Sequence, residues 1–89
     1  MKSIIHDRAG CYICGGIPTE WHHCLHGTAN RKLADKDGLT VMLCHTCHMN
    51  LHDKGIFDKE LQKIAQDKWM RYNNATVEDF IKRYGKSYL

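Results

Sequence analysis

Two Cys-X-X-Cys pairs form a strong metal-binding pattern in this 89-residue sequence. Cys11 pairs with Cys14, and Cys44 pairs with Cys47. Each pair can offer two thiolates from one tight turn, and four thiolates complete the closed tetrahedral shell of a structural zinc ion. Such an ion would connect two distant parts of the chain, so its binding free energy would become folding free energy. We therefore predict a structural zinc site.

Cys24 is left over as a fifth cysteine. An odd number of cysteines argues against a closed disulfide framework. In the stretch HHCLH, Cys24 alternates with His23, so on a strand the two side chains would point to opposite faces. We interpret Cys24 as a small buried strand residue, with a further soft ligand or a nucleophile as the alternatives.

Histidines are grouped on both sides of position 40. His48 and His52 are four residues apart, so a helix would place both imidazoles on one face, where two histidines can hold one metal ion. His45 falls outside this pair, and we expect it to be exposed. Two solvated histidines on a short helix are the alternative for His48 and His52.

The stretch EWHHCLHG can supply a third metal ligand in addition to His48 and His52. A divalent ion held by two histidines needs a further ligand and an open position for substrate, and either His22 or His23 could be that ligand. Adjacent strand residues face opposite ways, so the other histidine remains free. A neutral imidazole can take a proton from water near pH 7. Such a base beside a metal ion can hydrolyse a phosphodiester.

The elements that must position these residues follow from local patterns. Residues 19–25 and 39–44 are rich in apolar and β-branched residues and predict two strands of a hairpin. Residues 27–38 are polar and bounded by glycines, which favours a functional loop. A helix is predicted from Cys47 to a C-cap at Gly55. The order of knuckle, hairpin and helices indicates an α+β fold.

Two more helices are predicted towards the C-terminus. The first begins at an N-cap at Asp58 and ends at Asn73 and Asn74. The second begins with a capping box formed by Thr76 and Asp79. Four aromatic side chains at helical spacing are interpreted as packing residues rather than as platforms for base stacking: Trp69, Tyr72, Phe80 and Tyr84.

Composition sets the broad limits. The length predicts one domain over residues 1–89, and the formal net charge is only +3. Residues 54–89 carry eight Lys/Arg against five Asp/Glu, whereas residues 1–53 carry five of each, so a basic surface should draw on the C-terminal third. No secretory signal or membrane-spanning stretch is recognisable. We expect a cytoplasmic protein without membrane contact, with reduced thiols available for metal.

The stretches WHH, GLTVMLCHTCH and NLH resemble the HNH endonuclease family, also called ββα-metal or His-Me finger nucleases, in the zinc-containing form of phages and bacteria. The resemblance covers residues 11–54, as a zinc knuckle and ββα core. Residues 55–89 resemble, less specifically, the C-terminal helical extension of small phage-encoded HNH proteins. The resemblance implies a metal-dependent endonuclease that hydrolyses DNA phosphodiester bonds in the cytoplasm of a bacterial host.

The resemblance also assigns roles to the histidines. The family's first histidine matches His22, a ligand of the catalytic metal, and its general base matches His23. Two further ligands match His48 and His52. The sequence departs from the family at the asparagine that braces the base, which is expected about nine residues before His48. Gly38 and Leu39 stand there instead, and Asp37 or Asn30 could take that role.

The substrate and cofactor assignments complete this hypothesis. Arg31 and Lys32 could hold the DNA backbone, with solvent-exposed cations as the alternative. The catalytic ion could be Mg, Mn, Ni or Zn, and a recombination or packaging protein is a candidate partner. Two other functions stay open. A non-catalytic zinc module that binds DNA or protein needs only the cysteines, and a structural domain with two zinc ions would use His22, His48 and His52 as closed ligands.

Overall fold

The computed structural model describes residues 3–89 as an alternation of two strands and four helices. The α+β class predicted from sequence is confirmed. Its first part has the order strand, helix, strand, helix, and its last part is a pair of helices. In chain order the elements are β1 (Glu20–His23), α1 (Thr28–Asp37), β2 (Thr40–Leu43), α2 (His45–Lys54), α3 (Asp58–Asn73) and α4 (Val77–Tyr84).

The two strands pair antiparallel, and their register fixes the histidines of β1. His22 lies opposite Val41, and His23 lies opposite Thr40. Val41 and Thr40 are fully buried, and so is Leu43 at the other end of β2. The strand pair predicted from β-branched and apolar residues is therefore confirmed. Because Thr40 and Val41 are adjacent and both buried, β2 is covered on both faces at this end.

The connection between the strands corrects the sequence interpretation. Residues 28–37 form helix α1 rather than a loop, between Gly27 as N-cap and a left-handed Gly38 as C-cap with φ of 76°. Its composition of Ala, Arg, Lys and Leu suits a helix. Ala34 is fully buried and Leu33 packs against the core. The flanking glycines were thus helix ends, and the polar residues between them are the exposed face of a helix.

Helix starts also differ from prediction by a residue or two. Helix α2 begins at His45, because Cys44 is its N-cap and the Cys44 Sγ accepts the N–H of Cys47 at 3.4 Å. Phe57, with φ of 71°, takes the N-cap position of α3, so Asp58 is the first helical residue instead of the cap. The predicted ends at Gly55 and Asn74 and the Thr76–Asp79 capping box are confirmed.

Helices α3 and α4 pack together through aromatic rings, and α4 is anchored to α1 by polar contacts. Trp69, Phe80 and Tyr84 are buried as predicted, but Tyr72 is 65% exposed. Arg83 donates two hydrogen bonds to the carboxylate of Asp37, at 2.6 and 2.8 Å, and the Tyr84 hydroxyl donates to the same carboxylate. Helix α4 therefore holds the end of α1.

The chain before β1 closes the outer side of β2. The Met42 N–H donates to His6 Nδ1 at 2.9 Å, and the Tyr12 N–H donates to the Met42 carbonyl, also at 2.9 Å. These contacts satisfy backbone groups that would otherwise form an open sheet edge. Within residues 3–89, every helix is too short or too polar to cross a membrane.

Candidate metal centres

The four cysteines of the two Cys-X-X-Cys pairs meet in one cluster. The Sγ atoms of Cys11, Cys14, Cys44 and Cys47 all lie within 4.8 Å of one another. The Cys14 and Cys44 sulfurs are 3.7 Å apart. Zinc–sulfur bonds of about 2.3 Å in a tetrahedron put the sulfurs about 3.8 Å apart. The spacing thus fits a structural zinc ion, and the cluster could hold a metal.

Local backbone geometry turns the first pair towards the second. The Gly15 N–H donates to the Cys11 carbonyl at 2.8 Å, and the Cys11 N–H donates to the Gly16 carbonyl at 2.7 Å. Gly10 has φ of 85°, and a Cβ there would lie 2.6 Å from the Gly15 carbonyl oxygen. The knuckle therefore requires glycine at position 10.

The electrostatics of this cluster favour a bound cation. Burial disfavours the Cys11 thiolate, but backbone N–H groups, including that of Cys14, outweigh it and lower the pKa of Cys11. Burial and then the neighbouring sulfurs raise the pKa of Cys47. Four thiolates at this distance repel one another, and a divalent cation is the group that makes all four ionised forms favourable together.

Three histidines form a second group. Nitrogen atoms of His22, His48 and His52 lie within 4.8 Å of one another, with His22 on β1 and the other two on α2. The Nε2 atoms of His48 and His52 are 3.0 Å apart. The four-residue spacing on α2 brings these two rings together as the sequence indicated, with ring centroids 4.7 Å apart. This group could also hold a metal ion.

Glu20 fixes the orientation of His48. Its carboxylate accepts a hydrogen bond from His48 Nδ1 at 2.5 Å and another from His45 Nδ1 at 2.9 Å. These bonds, that from His45 first, hold the pKa of Glu20 below its usual range. With the proton of His48 on Nδ1, its Nε2 carries the lone pair that faces His52. A carboxylate on the outer nitrogen is a common support for a metal-binding histidine.

His22 offers a direct test of whether a metal fits. Its ring is only 2% exposed, and its Nε2 is buried without a hydrogen-bond partner among the described residues. Burial, and then the neighbouring His48, lowers the pKa of His22 to about 3. A buried, neutral and unpartnered nitrogen is costly unless something binds it. A metal ion shared with His48 and His52 would supply the missing partner.

His23 lies beside this group but has a different partner. Its Nε2 is 3.2 Å from Asp35 Oδ1 on α1, and its side chain is 20% exposed. A carboxylate accepts hydrogen bonds, so Nε2 carries the proton and Nδ1 keeps a lone pair. His22 and His23 both line a cavity of about 230 Å³ together with His48 and His52. His22 is thus buried and His23 is partly exposed, as expected for neighbours on a strand. Both side chains nevertheless line the same cavity.

Asp35 is the residue that the sequence interpretation missed. Neither alternative brace contacts His23, because Asp37 binds Arg83 and Asn30 donates to the Tyr84 carbonyl at 3.3 Å. If residues 28–37 are taken as a helix, Asp35 falls on the same face as Thr28, Arg31 and Lys32. At helical spacing, one face carries the residues that line a second cavity, of about 250 Å³, next to His23: Thr28, Arg31, Lys32 and Asp35.

Arg31 and Lys32 are both exposed on α1. Arg31 lines the cavity of the histidine group as well as the one beside it, whereas Lys32 lines only the second. Both cavities also include His23. The structure thus brings Arg31 to the histidines and keeps Lys32 next to the base candidate.

His26, His45 and Cys24 have separate surroundings. His26 Nε2 is 2.7 Å from Asp58 Oδ1, and its ring centroid lies 5.9 Å from that of His22. His45 is exposed, as predicted. Cys24 is fully buried just after β1, and burial raises the pKa of its thiol to about 12, which makes it a poor ligand and nucleophile.

Comparisons with protein-family models, with curated proteins and with solved structures gave no match for this chain. The HNH resemblance therefore rests on the residues themselves and remains a hypothesis.

Proposed function

We propose that this protein is a metal-dependent endonuclease of the HNH type that hydrolyses DNA phosphodiester bonds. One observation carries the proposal: a histidine held by a carboxylate, His23 with Asp35, lines the same cavity as three converging metal-ligand candidates. A hydrolase of this kind needs a base and an electrophile within reach of one phosphate. A binding module needs neither.

His23 is the general base in this proposal. The Asp35 carboxylate accepts a hydrogen bond from the Nε2–H group, which leaves Nδ1 with a free lone pair. The free nitrogen removes a proton from the attacking water, and the Asp35 carboxylate stabilises the imidazolium that results. Asp35 thereby takes the bracing role that the resemblance assigns to an asparagine.

His22, His48 and His52 would hold the divalent ion, with Glu20 supporting His48. The ion, when bound, would supply Lewis-acid stabilisation of the negative charge on the phosphate and its leaving oxygen. Arg31 contacts the same cavity and holds a non-bridging phosphate oxygen, while Lys32 binds the neighbouring backbone. Mg, Mn, Ni and Zn are the candidate ions.

The setting of this activity belongs to the same proposal. The basic excess of residues 54–89 is small and is compatible with DNA as the partner, although a solvated helix face would explain it as well. We infer a cytoplasmic enzyme of a bacterial host, encoded by a phage and acting beside a recombination or packaging protein.

A plasmid-nicking assay tests the proposal. Supercoiled DNA is incubated with wild type, His23→Ala and Asp35→Asn across a panel of Mg, Mn, Ni and Zn. We expect metal-dependent nicking by the wild type and a loss of about 10²- to 10⁴-fold in His23→Ala. Asp67→Asn is the matched control, because Asp67 is a helix carboxylate whose partner is the exposed Arg71.

A non-catalytic zinc module would give a different result in this assay. In that case no metal produces nicking on supercoiled, single-stranded or branched DNA, and His23→Ala behaves as the wild type. A loss of activity in Asp67→Asn equal to that in Asp35→Asn would instead contradict the specific role of Asp35.

A further inference from the structure

A groove of about 570 Å³ lies next to the histidine cavity. His26 lines both spaces, so the groove opens directly beside the metal-ligand candidates. Its volume falls within the roughly 300–1,000 Å³ range of sites that bind small molecules. The histidine cavity, at about 230 Å³, has room for less than such a ligand. A substrate that reacts at the histidines therefore has to extend beyond their cavity, and the groove is one route.

The groove is lined by groups that bind nucleotides. Asn30 and Gln62 contribute amides, and Lys86 contributes an ammonium group. Asn30 uses its Nδ2 for the Tyr84 carbonyl, which leaves its Oδ1 to accept a further hydrogen bond. The Lys86 Nζ lies 5.0 Å from the ring centroid of Tyr88. Amides suit the edge of a base, and the ammonium group suits a phosphate.

The groove also continues a path that begins on α1. Arg31 and His23 join the cavity beside Lys32 to the histidine cavity, and His26 joins that cavity to the groove. Cationic side chains thus stand at both ends of the path, Arg31 and Lys32 at one and Lys86 at the other. A strand of DNA carries negative charge on every nucleotide, so this order of charges is complementary to a bound strand.

We propose that the groove binds one unpaired nucleotide of the DNA strand next to the phosphate held at the histidines. This inference rests on the proposed nuclease function and names its substrate class. A base within a duplex has its Watson–Crick edge paired and its faces stacked, so the amides of a groove beside the site cannot reach that edge. DNA that is single-stranded next to the scissile bond meets the groove without the cost of unpairing.

Binding rather than cleavage provides the test. Fluorescence anisotropy is measured with metal-loaded His23→Ala protein and three probes of one sequence: a single strand, its duplex, and the single strand with one abasic position. Gln62→Ala and Lys86→Ala are added to this background. Lys63→Ala is the control, because Lys63 is an exposed lysine of α3 that does not line the groove.

We expect the single strand to bind about 10-fold more tightly than the duplex, as stacking and edge contacts to one base allow. Gln62→Ala should remove most of this preference and should have little effect on the abasic strand. Lys86→Ala should weaken the binding of all three probes, because each carries the phosphate that Lys86 binds. Equal affinity for single strand and duplex, or equal losses on all three probes in Gln62→Ala, would overturn the proposal. Because the binding assay measures no cleavage, the two proposals can fail separately. If the protein nicks plasmid but Gln62→Ala has no effect on binding, only the proposed role of the groove is rejected. Gln62-dependent binding without nicking refutes the nuclease function alone.

Discussion

The two groups that could hold a metal ion differ in how completely protein atoms surround them. Four sulfurs meet within 4.8 Å in the cysteine cluster, and they come from one tight turn and from the start of α2. Three nitrogens meet in the histidine group, which lines a cavity of about 230 Å³ together with His23 and Arg31. The cysteine cluster supplies all four ligands of a tetrahedral ion, whereas the histidine group supplies three.

The number of protein ligands indicates whether an ion contributes to stability or to catalysis. An ion with four protein ligands has no site for substrate, so it contributes folding energy, whereas an ion with three keeps an open position. The supporting contacts follow the same division. Backbone N–H groups such as those of Gly16 and Cys47 donate to the sulfurs, while the carboxylates of Glu20 and Asp35 orient histidines.

The largest effect is expected from breaking the closed group. Cys44→Ala removes a ligand and the N-cap of α2, and we expect the protein to unfold. Structural zinc in small domains contributes about 10–16 kcal/mol, against a net stability of about 5–15 kcal/mol for a typical domain. Circular dichroism and zinc content report the loss. Cys24→Ala, a buried cysteine outside the cluster, should keep zinc and fold. A chelator that strips all zinc without lowering the melting temperature would contradict this.

Breaking the open group should leave the fold intact. His52→Ala removes one of three ligands at an exposed position of α2. We expect one bound metal per chain instead of two, a folded protein whose melting temperature in zinc falls only by the stabilisation that the second ion gave, and nicking reduced by at least about 100-fold, since loss of a supporting partner alone costs about 10- to 100-fold. Metal analysis and the plasmid assay measure this, with the neighbouring Asp53→Ala as control. Unfolding of His52→Ala would show that the second group is structural as well.

A smaller effect is expected from removing a residue that supports only the histidine group. Glu20→Gln keeps the size of the side chain and removes the charge that orients His48. We expect the affinity of the second site to fall by about 10- to 100-fold with no effect on zinc in the cysteine cluster. Calorimetric titration of the zinc-loaded protein measures it. Equal affinity in Glu20→Gln and wild type would remove Glu20 from the metal site.

The smallest effect concerns pH. His22 has an ordinary pKa of 6.5 when unfolded and about 3 in the folded protein without a second metal. The unfolded state therefore binds more protons below pH 6.5, so His22 lowers stability as the pH falls from about 6.5 towards 3, by up to about 1.4 kcal/mol per pH unit. Urea unfolding at pH values between 6.5 and 5.5 should show that the unfolding free energy depends less steeply on pH in His22→Leu than in wild type. Identical slopes would contradict a neutral, buried His22.

Sequence reasoning was most successful where spacing alone fixes geometry. Cys-X-X-Cys turns and the four-residue interval of His48 and His52 brought those side chains together as expected. The interval from Thr76 to Asp79 gave the capping box in the same way. In each case a few adjacent backbone angles decide the result, so local rules suffice.

The rest depended on contacts between distant parts of the chain. The composition of residues 28–37 permits a helix, but the segment is polar, and the packing of Ala34 and Leu33 against the core is a contact that the sequence does not show. Because that helix was missed, Asp35 was not assigned to His23. Asp58 was interpreted as a cap, but its carboxylate contacts His26, which is 32 residues earlier in the chain. Tertiary partners of this kind leave no periodic signal in the sequence.

The coordination of the second metal is the most direct test of the difference between the two groups. A crystal structure of the metal-loaded protein, with anomalous scattering to locate each ion, measures it. We expect one ion with four sulfur ligands and no water, and a second ion bound by His22, His48 and His52 with a water or phosphate oxygen facing His23. A second ion with four protein ligands and no solvent, or no ion at the histidines at all, would contradict the account.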